Sequence, residues 1–123
     1  MIQVEVIGTP PSLNKMYAGI HWRRRQEMAE EWHLRLLHAF RSAKVPKPLK
    51  SPVVLRITQI SKRIRDCDNA ILSAKFCGDA LVRWKYLPDD TPEYINEVRL
   101  RSIKGKHDRT LYEFFEKGDL ITP

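Results

Sequence analysis

The sequence predicts one α/β domain over residues 1–123, a mixed β-sheet packed against two main helices. Three observations carry this expectation. Ile2, Val4 and Val6 alternate with Gln3 and Glu5, the period of a half-buried strand. Met28, Trp32, Leu36 and Phe40 recur every fourth residue, the period of a helix with one apolar stripe. Strand-like and helix-like stretches then alternate along a chain whose 123 residues suit a single core.

Taken in order, the first strand is broken by Gly8-Thr9-Pro10-Pro11-Ser12-Leu13-Asn14, where two prolines fix a rigid extended path. Trp22 to Lys44 reads as the long helix. Arg23, Arg24 and Arg25 at its amino end oppose the macrodipole, an arrangement that suits a phosphate partner and equally suits three solvated arginines. Val45 to Pro52 contains three prolines and ends the helix. A second strand spans Val53 to Ile60, with Val53, Leu55 and Ile57 on one face and Arg56 and Thr58 on the other. Lys62-Arg63-Ile64-Arg65 extends it toward Asp66. Asn69 reads as the N-cap of a helix from Ala70 to Lys85, which Pro88 closes. Asp89-Asp90-Thr91-Pro92 is a turn, and Tyr94 to Ile103 a third strand with Val98 and Leu100 inward. In the tail, Leu111, Phe114 and Phe115 fit a short helix ended by Gly118, with a strand as the alternative.

The charge balance points to a polyanionic partner. There are 22 Lys and Arg against 15 Asp and Glu, a net charge of +7, with bases spread along the chain and acids clustered. Nucleic acid is the expected partner. Cys67 and Cys77 form no C-x-x-C pair and no disulfide framework is expected. Met1 leads straight into the first strand, and no apolar run reaches membrane-spanning length. The expected location is therefore cytoplasmic, without membrane contact.

The stretch that carries chemistry is Arg65-Asp66-Cys67-Asp68-Asn69, read with Asp79 and with Asp89-Asp90. Residues two apart on a strand share a face, so Asp66 and Asp68 at a strand end present both carboxylates to one side. Two carboxylates about 4 Å apart repel by roughly 4 kcal/mol at an effective dielectric near 20, so a gathered cluster calls for a cation. Oxygen-only ligands select Mg²⁺, with Mn²⁺ as a substitute, over zinc. A calcium loop starting at Asp66 fails: it needs glycine at its sixth position and glutamate at its twelfth, where Ile71 and Cys77 stand. Zinc fails too, because His21, His33, His38 and His107 lack ligand spacing. Taken alone, the D-x-D fits a pair of turn or capping residues neutralised by Arg63 and Arg65 better than it fits a metal site.

The order of these features resembles the RusA-type Holliday junction resolvases. The resemblance lies in Arg65-Asp66-Cys67-Asp68-Asn69, Lys75, Asp79-Ala80-Leu81, Asp89-Asp90 and the upstream Pro10-Pro11-Ser12-Leu13-Asn14, and covers most of the chain from Pro10 to about Arg101. It implies a RusA-like fold and a small homodimeric endonuclease, often of phage or prophage origin, in a bacterial or phage-infected cell. Such an enzyme uses Mg²⁺ to resolve four-way DNA junctions by paired nicks. Carried over by position, Asp66, Asp68 and Asp90 are the metal-binding catalytic carboxylates and Lys75 the essential lysine, with Asp89 a further ligand or support. Arg23, Arg24, Arg25, Arg63 and Arg65 are the expected DNA contacts. One departure concerns Lys75, which follows Asn69 by six residues where the family has roughly three. Inside a helix the extra three add about 4.5 Å of rise and turn the lysine away; in a loop ahead of the helix they leave it in register. Two other functions fit the same residues: a basic DNA-binding protein without catalysis, and a metal-dependent nuclease for flaps or single strands.

Overall fold

The computed structural model describes residues 1–123 and has the element order β1 (Ile2–Ile7), α1 (Leu13–Met16), α2 (Trp22–Ser42), β2 (Val53–Ser61), a 3₁₀ turn (Asp68–Ala70), α3 (Leu72–Arg83), β3 (Ile95–Lys104) and β4 (Arg109–Phe115). The four strands form one mixed sheet in the order β1-β4-β2-β3. β4 is antiparallel to both β1 and β2, while β3 is parallel to β2, so β1, β2 and β3 run the same way. The α/β expectation holds, with the two main helices being α2 and α3.

The apolar stripe of α2 is the centre of the core. Met28, Trp32, Leu36, Ala39 and Phe40 are all buried, and each large side chain contributes roughly 1.5–3 kcal/mol by leaving water. His21 caps the helix, its Nδ1 accepting from the Arg23 N–H at 3.2 Å. The helix stops at Ser42, and Lys44 takes a left-handed φ of 53° just beyond it. Phe40 meets Tyr86 and Phe114 edge-on, at 5.2 and 5.9 Å between ring centroids.

Three expectations are corrected here. The tail residues Leu111, Phe114 and Phe115 lie in β4, not in a helix. β4 is an interior strand buried on both faces, so its apolar residues fail to alternate and their spacing imitates a helix. Thr110, Tyr112 and Phe114 share the face with the inward Val6, Val4 and Ile2, while Glu113 and Phe115 occupy the other. Likewise β2 is buried along all nine residues, so Arg56 and Thr58 are inside and not on a solvent face. Of the two residues expected to point inward from β3, Leu100 packs against the core and Val98 is exposed at the sheet edge.

Arg56 is accommodated by a bidentate pair. Its Nε and Nη2 donate to the Glu113 carboxylate at 2.8 and 3.0 Å, and the guanidinium also bonds the Thr122 carbonyl and hydroxyl. The hydrogen bonds from Arg56 hold the Glu113 carboxyl below the usual carboxylate range, against the opposing effect of burial. On the other face Trp32 Nε1–H donates to Tyr112 Oη at 3.0 Å, and that hydroxyl donates to the Ser73 carbonyl at 3.4 Å. Burial, the first of several causes, pushes the Tyr112 phenol well above its ordinary value, so it remains a neutral donor.

Replacing Glu113 by Ala leaves the Arg56 charge buried and unpaired, and is expected to cost about 3–5 kcal/mol at pH 7. Because the folded-state pKa of Glu113 is depressed, its stabilisation is full above the ordinary carboxylate range and disappears as pH falls through the folded value. The gap between wild type and Glu113→Ala should therefore narrow in urea unfolding at pH 3. Tyr112→Phe should cost about 1–3 kcal/mol in the same assay, since the Trp32 N–H is left buried without its acceptor.

Candidate functional site

The parallel direction of β1, β2 and β3 brings three connections to one edge of the sheet. These are the proline loop after β1, the stretch from Lys62 to Cys67 after β2, and the Gly105–Asp108 turn after β3. The carboxyl ends of parallel strands are where open α/β sheets place ligands. The connections are bonded to one another: Gly8 N donates to the Asp108 carbonyl at 2.8 Å and Gly105 N to the Ser61 carbonyl at 3.0 Å. A Cβ on Gly105 would stand 2.4 Å from Ile60 Cγ2, so only glycine allows this close approach.

Asp66 and Asp68 lie at this edge, but not on a strand as expected. β2 ends at Ser61, and the chain reaches Asp66 through a bend and an extended stretch. The Asp66 carbonyl accepts from Asn69 N and Ala70 N, both at 3.1 Å, which starts the 3₁₀ turn containing Asp68. Asn69 is not a helix cap either. Its Oδ1 accepts from Asn14 N at 2.8 Å, clamping the proline loop to the aspartate turn. Arg65 makes a second clamp, donating to the Pro10 carbonyl at 2.8 Å and to Thr9 Oγ1 at 3.3 Å.

The carboxylates themselves are free. Asp66 and Asp68 are exposed, and neither forms an ion pair with Arg63 or Arg65, so the turn-and-cap explanation is not what the side chains do. Asp90 is also exposed, while Asp89 turns back to accept from the Asp90 N–H at 2.8 Å. Asp90 lies against the middle of α3, where a Cβ on Gly78 would be 3.8 Å from its carboxylate. Gly78 is six residues past Leu72, about 9 Å of helical rise from the turn that carries Asp68. Asp66, Asp68, Asp89 and Asp90 are accordingly not brought into one cluster: no three His, Cys, Asp or Glu side chains converge to hold a metal.

Of the five residues between Asn69 and Lys75, Ala70 and Ile71 lie ahead of α3 and Leu72, Ser73 and Ala74 within it. Lys75 is the fourth residue of α3, exposed, with Nζ 3.7 Å from Asp79 Oδ2 one turn on. Asp79 is thus the partner of a nearby base. His33 faces this helix, its ring edge-on to Phe76 at 5.5 Å, and burial lowers its pKa against the pull of Asp79 and Glu30. It packs as a neutral ring.

The expected DNA-contacting arginines have separate fates. Arg24 pairs with Glu27 at 3.3 Å and Glu31 at 3.9 Å, and Arg25 donates to the Ile20 carbonyl at 3.2 Å. Arg65 is engaged with the proline loop, whereas Arg23 stacks over Trp22 and Arg63 makes no ion pair. The sheet edge adds bases not singled out from the sequence: Lys62, Lys104 and Lys106 line one open recess. Their signal was the Lys104-Gly105-Lys106 turn, whose position beside Lys62 depends on β3 pairing with β2. A groove of about 740 Å³ between β1 and α2 is lined by none of the candidate aspartates.

Asp66→Asn and Asp68→Asn should leave stability within about 0.5 kcal/mol of wild type, since neither carboxylate has a partner to lose. Asn69→Ala should cost about 1 kcal/mol through loss of the Asn14 clamp. Urea unfolding of the three variants checks both expectations. No helix is long and apolar enough to cross a membrane. Comparison of the chain with protein-family models and with curated proteins finds no match.

Proposed function

We propose that the protein is a metal-dependent endodeoxyribonuclease that resolves four-way DNA junctions by paired, symmetric nicks. The observation that carries this reading is that Asp66 and Asp68 are exposed carboxylates without ion pairs, on a clamped turn, in a chain of net charge +7. Neutralising bases are abundant and are used elsewhere: Arg65 is spent on the proline loop. The resemblance of the Asp66–Asp90 order to the RusA-type resolvases supports the same reading.

The donor set fits Mg²⁺, which commonly takes one or two carboxylates together with substrate phosphate and several waters. Asp66 and Asp68 would hold it; Asp90, expected from the resemblance as a third carboxylate with Asp89 in support, lies apart against mid-α3. When bound, such an ion lowers the pKa of water and stabilises charge on the phosphoryl and leaving oxygens. In the hydrolysis a water oxygen forms a bond to phosphorus, the bond from phosphorus to one ester oxygen breaks, and that oxygen leaves as a hydroxyl. Lys75, in the first turn of α3, supplies positive charge toward the phosphate. Lys62, Lys104, Lys106, Arg23 and Arg63 draw the DNA backbone to this edge. A junction has approximate twofold symmetry, so a C₂ homodimer would supply two equivalent sites.

Binding without catalysis is the second reading, favoured by the position of Asp90 against mid-α3, apart from the aspartate turn. One experiment separates them: cleavage of a labelled four-way junction beside a linear duplex and a flap, with Mg²⁺ or Mn²⁺. Paired nicks on the junction alone, abolished in Asp68→Asn, are expected. Tight binding with no cutting in either metal would instead establish the binding module, and nicking of flaps or single strands would discard the junction as substrate.

A further inference from the structure

A polar cleft of about 300 Å³ lies between the proline loop with α1 on one side and α2 on the other. Its lining includes four cations, Lys15, Arg24, Arg35 and Arg65, and a single carboxylate, Glu31. Four minus one leaves three positive charges in one small concavity. Such a gathering is repulsive unless an anion enters.

Arg24 is paired with Glu27 and Glu31, whereas Arg65 and Arg35 are oriented by neutral groups. Arg65 donates to the Pro10 carbonyl and Thr9 hydroxyl, and Arg35 Nη1 donates to the Ile7 carbonyl at 3.2 Å. Carbonyl and hydroxyl acceptors fix a guanidinium in place and leave its charge uncompensated. Lys15 makes no ion pair, and Arg24 is the only one of the four within reach of Glu31, at 3.9 Å. Gly8 beside it has a φ of +91°, a backbone conformation glycine adopts freely, and packs close enough that a Cβ there would stand 3.3 Å from Arg35 Nη1. A planar guanidinium held at a fixed angle is the group best matched to phosphate oxygens.

We propose that this cleft is a subsite for a backbone phosphodiester of the DNA, one residue along the chain from Asp66 and separate from the phosphate that is cut. The assignment rests on the nuclease reading for its substrate and adds Lys15 and Arg35 to the binding surface. Arg65 then has two tasks, holding the proline loop and presenting charge to the cleft.

The test is junction binding by fluorescence anisotropy, without divalent metal, over a range of salt concentrations. Lys15→Ala and Arg35→Gln are compared with Arg41→Ala, which removes an exposed charge farther along α2. Thermal unfolding first establishes that each variant is folded; Lys15→Ala, losing an exposed unpaired side chain, covers the case in which Arg35→Gln is not. The two cleft variants should bind roughly tenfold more weakly than Arg41→Ala. The slope of log affinity against log salt should be shallower by about 0.9 for each lost phosphate contact. Affinity and slope equal to those of Arg41→Ala would overturn the subsite. So would inorganic phosphate protecting the cleft, in NMR titration, as tightly as a short single-stranded oligonucleotide, because the site would then recognise the free ion. Because no metal is present, failure of the nuclease reading shows separately, as absence of cleavage in Mg²⁺ and Mn²⁺ by a protein whose cleft variants still bind more weakly.

Discussion

The structure depends on a buried polar chain through its core. Trp32 on α2 donates to Tyr112 on β4, Tyr112 donates to the Ser73 carbonyl on α3, and Ser73 Oγ donates to the Ala70 carbonyl at 2.7 Å. Trp32, Tyr112 and Ser73 are all buried, so each bond forms where an unpaired polar group would cost more than the bond itself gains. Close-packed apolar contacts resist sliding of α2 and α3 over the sheet, and these directional bonds add to that restraint. The last link ends at Ala70, the final residue of the turn that contains Asp68. The position of the candidate site is thus set by the core, through the same contacts that fix the helix packing.

The outer clamps complete this. Asn69 and Arg65, on either side of the D-x-D, each bond the proline loop more than fifty residues upstream. With two prolines limiting the loop and two bonds limiting the turn, the aspartate backbone has little freedom left. Their carboxylates keep theirs, since nothing in the fold engages them. Under the proposed function these unengaged carboxylates are the ones that would hold the metal.

The sequence made legible the elements with one wet face. Ile2, Val4 and Val6, and the Met28–Phe40 stripe, alternate because their opposite faces meet solvent. β4 has no wet face, so period two vanished and Leu111, Phe114 and Phe115 imitated a helix turn. The Arg56–Glu113 pair was hidden for a related reason: a charge on a strand reads as exposure, and its partner is 57 residues away. Asn69 shows the limit at the site. Before a helix, an asparagine that caps and one that clamps a distant loop look the same, and only the Asn14 bond distinguishes them. The aspartates could be singled out by order and spacing. Of the cleft cations, Arg24 and Arg65 were among the expected DNA contacts but Lys15 and Arg35 were not, because the four are spread over α1, α2 and the loop after β2 and meet only in three dimensions.

Cleft and carboxylates together impose a condition on how DNA would approach this edge. The basic groups attract a phosphate backbone, while Asp66 and Asp68, a residue beyond Arg65, repel it. An exposed carboxylate and a phosphate about 4 Å apart repel by only about 1 kcal/mol in water, but by several times more once binding excludes solvent between them. Under the proposed function a divalent ion between them reverses that sign, so metal and DNA raise each other's affinity by the same factor. Such coupling makes tight metal binding by the free protein unnecessary. A site that shares its ion with substrate phosphate needs few protein ligands of its own. With Arg65 tied to the proline loop instead of to its neighbour Asp66, the Asp66 carboxylate is left free for such an ion under that proposal.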